Sequence, residues 1–320
     1  MKLLLTSIAL LTVSCCFAQR QNVYFLKNNG TYVDSKDSAD YIRLVREPDS
    51  TSTLYNVFEF YLDGKKKLIG KSSTIDPPVY DGQCIEYYKN GSKKSLINYV
   101  KGKKAGTDYE YYPNGKMYTV REYPESGSLY GDLESSFLIK ANYDSLGTQS
   151  VVNGDGYYKG YDDKFTYVIE EGGVKDGKRI NTWKGNLKYI NTTFIENYQD
   201  GVLISGTANH ADGTVTTYSK QRGTAPEFKG GVVGFGKYLS RSINYPDYAR
   251  ANNIQGIVVL SFIVEKDGKL SEVKVRESVN PLLDEEAVRV LKQSPKWQPG
   301  TMFGSPIRVT YSVPVNFKLN

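Results

Sequence analysis

Residues 307–319 read IRVTYSVPVNFKL, and the expected fold of the C-terminal part of the chain follows from this stretch. Strict alternation of apolar and polar positions over thirteen residues predicts a strand with one buried face. The polar register includes Pro314, which has no amide hydrogen to donate, so we predict that the strand lies at a sheet edge. The apolar register comprises Ile307, Val309, Tyr311, Val313, Val315, Phe317 and Leu319.

Two further strands and a helix are predicted before this closing strand. Residues 255–265 (QGIVVLSFIVE) are apolar on nearly both faces, and KDGK at 266–269 predicts a tight hairpin turn. The return strand is Leu270–Glu277, where apolar and charged residues alternate. Asn280 fits the N-cap and Pro281 the first position of a helix that covers the sheet.

The order strand, strand, helix, strand predicts a small α+β domain, in which an antiparallel sheet carries a helix on one face. A short helical segment around Phe235–Ile243 leads into it. Gly230–Gly236 (GGVVGFG) superficially suggests a nucleotide-binding loop, but its spacing is wrong and no clear strand precedes it. We therefore expect these glycines to begin the lead-in helix.

Several separated motifs of this region resemble the C-terminal domain of TonB proteins. They occur in the order of that family, and the ten residues between Tyr245 and Gly256 match its spacing. The resemblance covers residues 227–320, under a third of the chain, and Val315–Leu319 resembles the last strand of the family. The matching residues are Tyr245-Pro246, Ala249, Ile254, Gly256, Val258, Phe262, Val264, Asp267-Gly268, Val273, Val275, Trp297 and Pro299-Gly300.

The resemblance implies a periplasmic domain that captures a short segment of an outer-membrane TonB-dependent transporter by strand addition. Pro314 would interrupt this pairing if the partner lies on the side that its missing amide hydrogen would face. Tyr245-Pro246 has an alternative explanation, because a residue before proline is held extended and the pair can simply set the chain direction. Carried over to this sequence, the partner-binding residues are Asn244, Tyr245, Pro246, Ile307, Arg308, Val309, Thr310, Tyr311, Ser312 and Val313.

The first residues predict export to the periplasm of a Gram-negative envelope. Lys2, the apolar stretch 3–18 and the small residues before Gln19 form the pattern of a secretory signal peptide. Because a membrane-spanning helix needs about 20 apolar residues, we expect cleavage after Ala18. The alternative is an inner-membrane anchor, and inner-membrane motor proteins are expected partners only in that case. The 12 prolines are scattered, unlike the proline-rich spacer of the resembled family.

Cysteine content and charge narrow the function classes. Cys15 and Cys16 would leave with the signal peptide, so Cys84 can form no internal disulfide, and we expect it to be buried and unreactive. The formal net charge of +6 is spread without a long basic run, which argues against nucleic-acid binding.

A tyrosine-rich region with an internal repeat precedes the TonB-like region. EYYKNG at 86–91 recurs as EYYPNG at 110–115, and 23 of the 27 tyrosines precede residue 220. Asn-Gly turns between tyrosines predict a ladder of stacked hairpins. The pattern resembles MORN-like repeats of the YwqK antitoxin-like type, most closely over residues 80–123. We expect the tyrosines to bridge the hairpins; the alternative is an exposed row that binds a glycan or peptide.

The sequence thus predicts a signal peptide (1–18), an all-β repeat domain (19–220), a linker (221–226) and a TonB-like domain (227–320). His210 is the only histidine, and no P-loop or nucleophile elbow occurs, so we expect no enzyme, cofactor or metal site. The expected function is a binding and coupling protein for TonB-dependent transport. The alternative is an envelope scaffold or ligand-binding protein that acts through its repeats. In that case the C-terminal domain would serve self-association, because an exposed edge permits two copies to pair.

Overall fold

The computed structural model describes residues 20–125 and 137–319. The predicted signal peptide, with its two cysteines, lies outside the described residues. Within the described residues, no helix is long and apolar enough to cross a membrane. The strands are antiparallel and mostly joined as hairpins, as the sequence predicts.

Contacts divide the chain into two compact units. The first unit comprises the described residues up to Tyr158 together with the turn Asp176–Lys178. The second comprises Lys159–Lys175 and the chain from Arg179 onward. The predicted linker at 221–226 therefore lies inside the second unit.

The first unit is a series of β-hairpins. Its strands are β1 (Gln21–Leu26), β2 (Tyr32–Val33), β3 (Tyr41–Arg46), β4 (Tyr55–Tyr61), β5 (Lys66–Ser72), β6 (Gly82–Tyr87), β7 (Lys93–Val100), β8 (Lys103–Lys104), β9 (Gly106–Tyr111), β10 (Met117–Tyr123), β11 (Leu138–Tyr143), β12 (Gln149–Val152) and the first part of β13 (Asp155–Tyr161). From β3 onward the main pairing is between consecutive strands, and β1 pairs with both β2 and β3.

Side chains of the repeated motif link one hairpin of the first unit to the next. The hydroxyl of Tyr61 donates to the carbonyl of Tyr87 at 2.8 Å, and that of Tyr88 donates to the carbonyl of Tyr111 at 2.7 Å. These bonds confirm that tyrosines bridge the hairpins. Further bonds of this kind run from Tyr112 to Tyr143, from Asn90 to Pro113 and from Asn114 to Ser145.

Cys84 lies in β6 and is almost fully buried, as expected. Burial raises the pKa of its thiol to about 12. Because the thiolate is the reactive form, the folded protein holds this cysteine as an inert packing residue.

The second unit contains the remaining strands and the three α-helices of the described residues. These elements are β14 (Val168–Lys175), β15 (Lys178–Leu187, whose first residue belongs to the first unit), β16 (Thr192–Gln199), β17 (Val202–Asn209), β18 (Val215–Lys220), β19 (Gly223–Thr224), α1 (Gly231–Ser242), α2 (Asp247–Ala251), β20 (Gly256–Val264), β21 (Leu270–Glu277), α3 (Pro281–Lys292), β22 (Thr301–Met302), β23 (Ser305–Pro306) and β24 (Val309–Phe317). Strands β20, β21 and β24 form a three-stranded antiparallel sheet in the order β21-β20-β24, which we call the C-terminal sheet.

Helix α3 covers the C-terminal sheet in the way that its sequence predicts. The Asn280 side chain accepts a hydrogen bond from the amide of Leu282 at 3.0 Å, which caps the first turn. Leu283, Ala287 and Leu291 are fully buried in the core between helix and sheet. The predicted helix is therefore confirmed.

Arg222, in the predicted linker, is part of a largely buried polar cluster. Its guanidinium donates to both carboxylate oxygens of Glu196 on β16, at 2.8 and 2.5 Å. The hydroxyls of Tyr198 and Tyr218 donate to the same carboxylate. Burial raises the pKa of Glu196, because the charged form loses its hydration. The hydrogen bonds from the two tyrosines counteract this rise only in part, and the charge-assisted bonds from Arg222 fix the segment to β16.

Phe303, in the turn between β22 and β23, inserts between strands of the same unit. Its ring stacks on Phe194 of β16 with centroids 5.2 Å apart and meets Tyr218 edge-on at 5.7 Å. β22 also pairs with β19. The segment 221–226 is thus held to β16 by the bonds of Arg222 to Glu196 and to β22 by the pairing of β19.

Replacement of Phe303 with Ala should lower the free energy of unfolding of the second unit by about 3–5 kcal/mol, because it removes a buried ring from this aromatic cluster. Urea denaturation followed by tryptophan fluorescence measures this unit, since Trp183 and Trp297 both lie in it. Met302→Ala is the matched control, because the neighbouring Met302 is exposed. Equal stability of the two variants would contradict the anchoring role of Phe303.

Candidate functional site: the free edge of the C-terminal sheet

β24 lies at the edge of the C-terminal sheet, as Pro314 predicts. Its pairing with β20 runs without a register shift from Phe317 opposite Gly256 to Val309 opposite Val264. Burial alternates along β24, and the side chains of the apolar register are the buried or half-buried ones. Within the described residues, no strand pairs with the other side of β24.

The hairpin between β20 and β21 fixes the direction of the backbone groups. The amide of Glu265 donates to the carbonyl of Lys269 at 2.9 Å, so Glu265 turns its backbone groups toward β21. Backbone groups point to alternate sides along a strand, and therefore those of Val264 point toward β24. The backbone groups of Val309, the partner of Val264, therefore point toward β20.

Because the direction alternates along β24, every second residue turns its backbone groups to the open edge. These residues are Thr310, Ser312, Pro314 and Asn316. Thr310 and Ser312 offer an amide and a carbonyl each, whereas Pro314 offers only a carbonyl. The missing amide of Pro314 thus faces outward, where it does not disturb the ladder to β20. A strand added to this edge loses a donor at Pro314, so the stretch before it is the better pairing surface.

A groove of about 630 Å³ runs beside this edge. One wall is Tyr311–Pro314 of β24, and the other is residues 226–228 with the first turns of α1. Trp297 forms part of the lining, and its ring contacts Phe228, Phe235 and Tyr311 at centroid distances of 5.3 to 5.7 Å. The groove is therefore largely apolar, with Glu227, Gln298 and Ser312 as polar lining residues, and it borders directly on unpaired backbone groups.

Tyr245, a predicted contact residue, has a structural role in the fold. Its hydroxyl donates to the carbonyl of Ile254 at 2.5 Å, and its ring meets Phe317 edge-on at 5.8 Å. Phe317 ends β24 and Val309 begins it, roughly 26 Å apart at about 3.3 Å per residue. The structure therefore places Tyr245 at the opposite end of β24 from the predicted pairing stretch. Pro246 is half-buried and occupies the position directly before α2.

Asn244, the residue before Tyr245, is tied to helix α3. Its amide donates to Glu286 Oε1 at 2.6 Å, and Arg289 donates to both oxygens of the same carboxylate at 2.7 Å. Burial alone would raise the pKa of Glu286, but the hydrogen bonds from Arg289 and from the Asn244 amide outweigh it and lower that pKa. The ion pair of Glu286 and Arg289 therefore fixes the segment between α1 and α2 to helix α3.

The remaining predicted contact residues divide into two groups. Ile307 and Arg308 precede β24 and are held by the C-terminal region itself. The Ile307 amide donates to Gly300, and Arg308 pairs with Glu265 and Glu272 at 3.0 and 2.6 Å. The second group lies in β24 and alternates between the inward-facing Val309, Tyr311 and Val313 and the exposed Thr310 and Ser312.

Residues 241–319 match the family model of the Gram-negative bacterial TonB protein C-terminal domain. The TonB-like region predicted from the sequence is thereby confirmed over these residues, which include β20, β21, α3 and β24. The MORN-like resemblance of the preceding region stays a prediction.

Two solved structures are also similar to the chain. Both are NMR structures of the Helicobacter pylori TonB C-terminal domain, each with 22% identity and a TM-score of 0.23. One comparison covers 27% of this chain and 91% of that chain, and the other covers 28% and 80%. No curated protein sequence matches the chain.

The groove was not predicted from the sequence. Its walls come from residues 226–228, part of the first turns of α1, Trp297 and β24, which are far apart along the chain and meet only through tertiary packing. The available signal was GGVVGFG at 230–236, which places two valines in the glycine-rich start of a helix.

Among the described residues, no group of three or more His, Cys, Asp or Glu could hold a metal ion.

Replacement of Glu286 with Gln should destabilise the second unit by about 1 kcal/mol at pH 7, because the charge-assisted hydrogen bonds to the carboxylate weaken. The expected loss is small because Arg289 is partly exposed to solvent. The folded-state pKa of Glu286 is lowered, so its contribution is present above the ordinary value of 4.5 and is lost as the pH falls through the folded-state value. Wild type and variant should therefore converge in acid.

Urea denaturation at a series of pH values between 3 and 7 checks this prediction. Glu285→Gln is the control, because Glu285 is exposed on the same helix. A difference between wild type and Glu286→Gln that stays constant over this range would contradict it.

Proposed function

We propose that this protein is a periplasmic binding and coupling protein that docks outer-membrane TonB-dependent transporters through β24. The observation that supports this function is the match of residues 241–319 to the TonB C-terminal family together with the free edge of β24. A transporter segment would add as a fourth strand beside β24. This binding function needs no enzymatic step, cofactor or metal.

The edge limits the length of the backbone ladder. Thr310 and Ser312 can each exchange an amide and a carbonyl bond with an added strand, and Pro314 can only accept. Each such bond contributes about 0.5–1.5 kcal/mol net, whereas association costs about 4–15 kcal/mol. Backbone pairing alone therefore gives weak and reversible binding, and side-chain contacts must supply the remainder.

We further propose an accessory role in the envelope, in which the exported protein holds a transporter without transmitting force to it. The support is the signal-peptide pattern at the start of the sequence. Motor proteins of the inner membrane would become partners if this segment were retained as an anchor.

A second function, an envelope scaffold that binds through its repeats, is favoured by one observation. The outer face of β16, β17 and β18 exposes Ile195, Ile204 and Val215, each more than half exposed. Exposed apolar side chains on the strands of one sheet are available to a protein partner. Under this function, substitutions at the edge of β24 would leave partner binding unchanged.

Replacement of Ser312 with Pro should weaken binding of transporter segments about tenfold, because it removes an outward amide and places a ring at the pairing edge. The fold should persist, since the amide of Ser312 points away from β20, like the nitrogen of Pro314. Ser312→Ala is the matched control, because strand addition uses the backbone and not the hydroxyl.

Isothermal titration calorimetry with synthetic periplasmic segments of the transporters from the same cell measures this difference. Equal affinity of the Pro and Ala variants would contradict strand addition at β24. Absence of binding by the wild type to every segment would contradict the docking function itself.

A further inference from the structure

Two valines in the first turn of α1 are unusually exposed. Val232 is 89% exposed and Val233 is 69% exposed. Val232 lines the groove beside β24, whereas Val233 does not. The pair thus provides one apolar side chain at the groove and a neighbour of the same type outside it.

Glycines hold this turn in place. The N-cap Gly230 has φ +86°, a left-handed conformation that glycine adopts without strain. A Cβ on Gly234 would lie 2.3 Å from the carbonyl oxygen of Lys229, so only glycine fits there. The GGVVGFG motif therefore folds the chain tightly enough to bring Val232 against the open side of the groove.

The geometry of strand addition determines which partner side chains enter the groove. Residues directly opposite each other on neighbouring strands point to the same face of a sheet. The side chains of Tyr311 and Val313 face the groove, and so would the partner residues opposite them. Those two partner residues are separated by one residue, because the side-chain period of a strand is two.

We propose that this groove selects its ligand, an extended segment with apolar side chains at two alternate positions that insert between Val232, Trp297 and the β24 edge. This inference rests on the proposed docking function and names the side-chain chemistry of the segment. Because Pro314 shortens the backbone ladder, these two side chains supply affinity that the ladder lacks.

The occupant is a segment of a different protein. Thirteen Lys and Arg against nine Asp and Glu give residues 227–319 a formal net charge of +4, so two copies of this region repel each other. Glu227 is exposed and is the charged residue of the groove lining, next to the groove residue Phe228. An uncharged segment therefore fits this surface better than a second copy.

The test uses the full chain and two synthetic peptides of equal length. In the first peptide Val alternates with Thr, and in the second Ser replaces every Val. Titration calorimetry should show that the wild type binds the Val peptide at least tenfold more tightly than the Ser peptide. Val232→Asp should abolish most of this preference, and the matched control Val233→Asp should retain it.

The possible outcomes distinguish failure of the groove assignment from failure of the docking function. If Val232→Asp keeps the full preference, or the wild type shows none, the groove assignment is overturned. Docking then still stands, provided that Ser312→Pro weakens binding of the transporter segments. If the wild type binds neither the peptides nor any transporter segment, both proposals fail.

Sedimentation velocity tests the alternative occupant of the groove, a second copy of the chain. A dimer that Val232→Asp dissociates and that the Val peptide does not displace would assign the groove to a second copy and overturn the partner named here. Thermal melting by circular dichroism should be unchanged in both Asp variants, since both valines are exposed in the folded protein.

Discussion

The uninterrupted antiparallel pairing of β24 with β20 is the constraint on which the C-terminal region depends. It sets which side chains of β24 enter the core beneath α3 and which backbone groups remain unpaired. A shift of one residue would exchange the two faces, burying Ser312 and exposing Val313. The same register turns the nitrogen of Pro314 outward, so the residue that protects the edge from extended pairing does not weaken the sheet.

Local periodicity made most of this sheet predictable. The alternation in residues 307–319, the KDGK turn and the Asn280-Pro281 cap each carry their signal within a few residues, and the observed elements agree with them closely. The side on which Pro314 faces was not predictable, because it depends on the hydrogen bond of Glu265 across a different hairpin. The groove was missed for a related reason, since it exists only where distant segments meet.

The repeat region shows the same division between local and long-range signals. Asn-Gly turns between tyrosines predicted hairpins, and the tyrosine hydroxyls indeed bond to the next hairpin. Buried ion pairs were not predicted, because a charged residue on a strand normally indicates a solvated face. Arg43 with Glu59 at 2.8 Å shows that the stacked hairpins enclose such pairs instead. Pairing of the charges makes their burial tolerable.

The contact of Phe303 with Phe194 and Tyr218 limits how this chain can be divided or recombined. A cut between residues 221 and 226 would leave an uncovered aromatic surface on each fragment, and Glu196 would lose the fixed backbone that presents Arg222 to it. The C-terminal region is therefore not an interchangeable module. Gene fusion that transfers it to another protein must carry β16 and β18 with it, or replace the ring of Phe303 with a side chain that tolerates water.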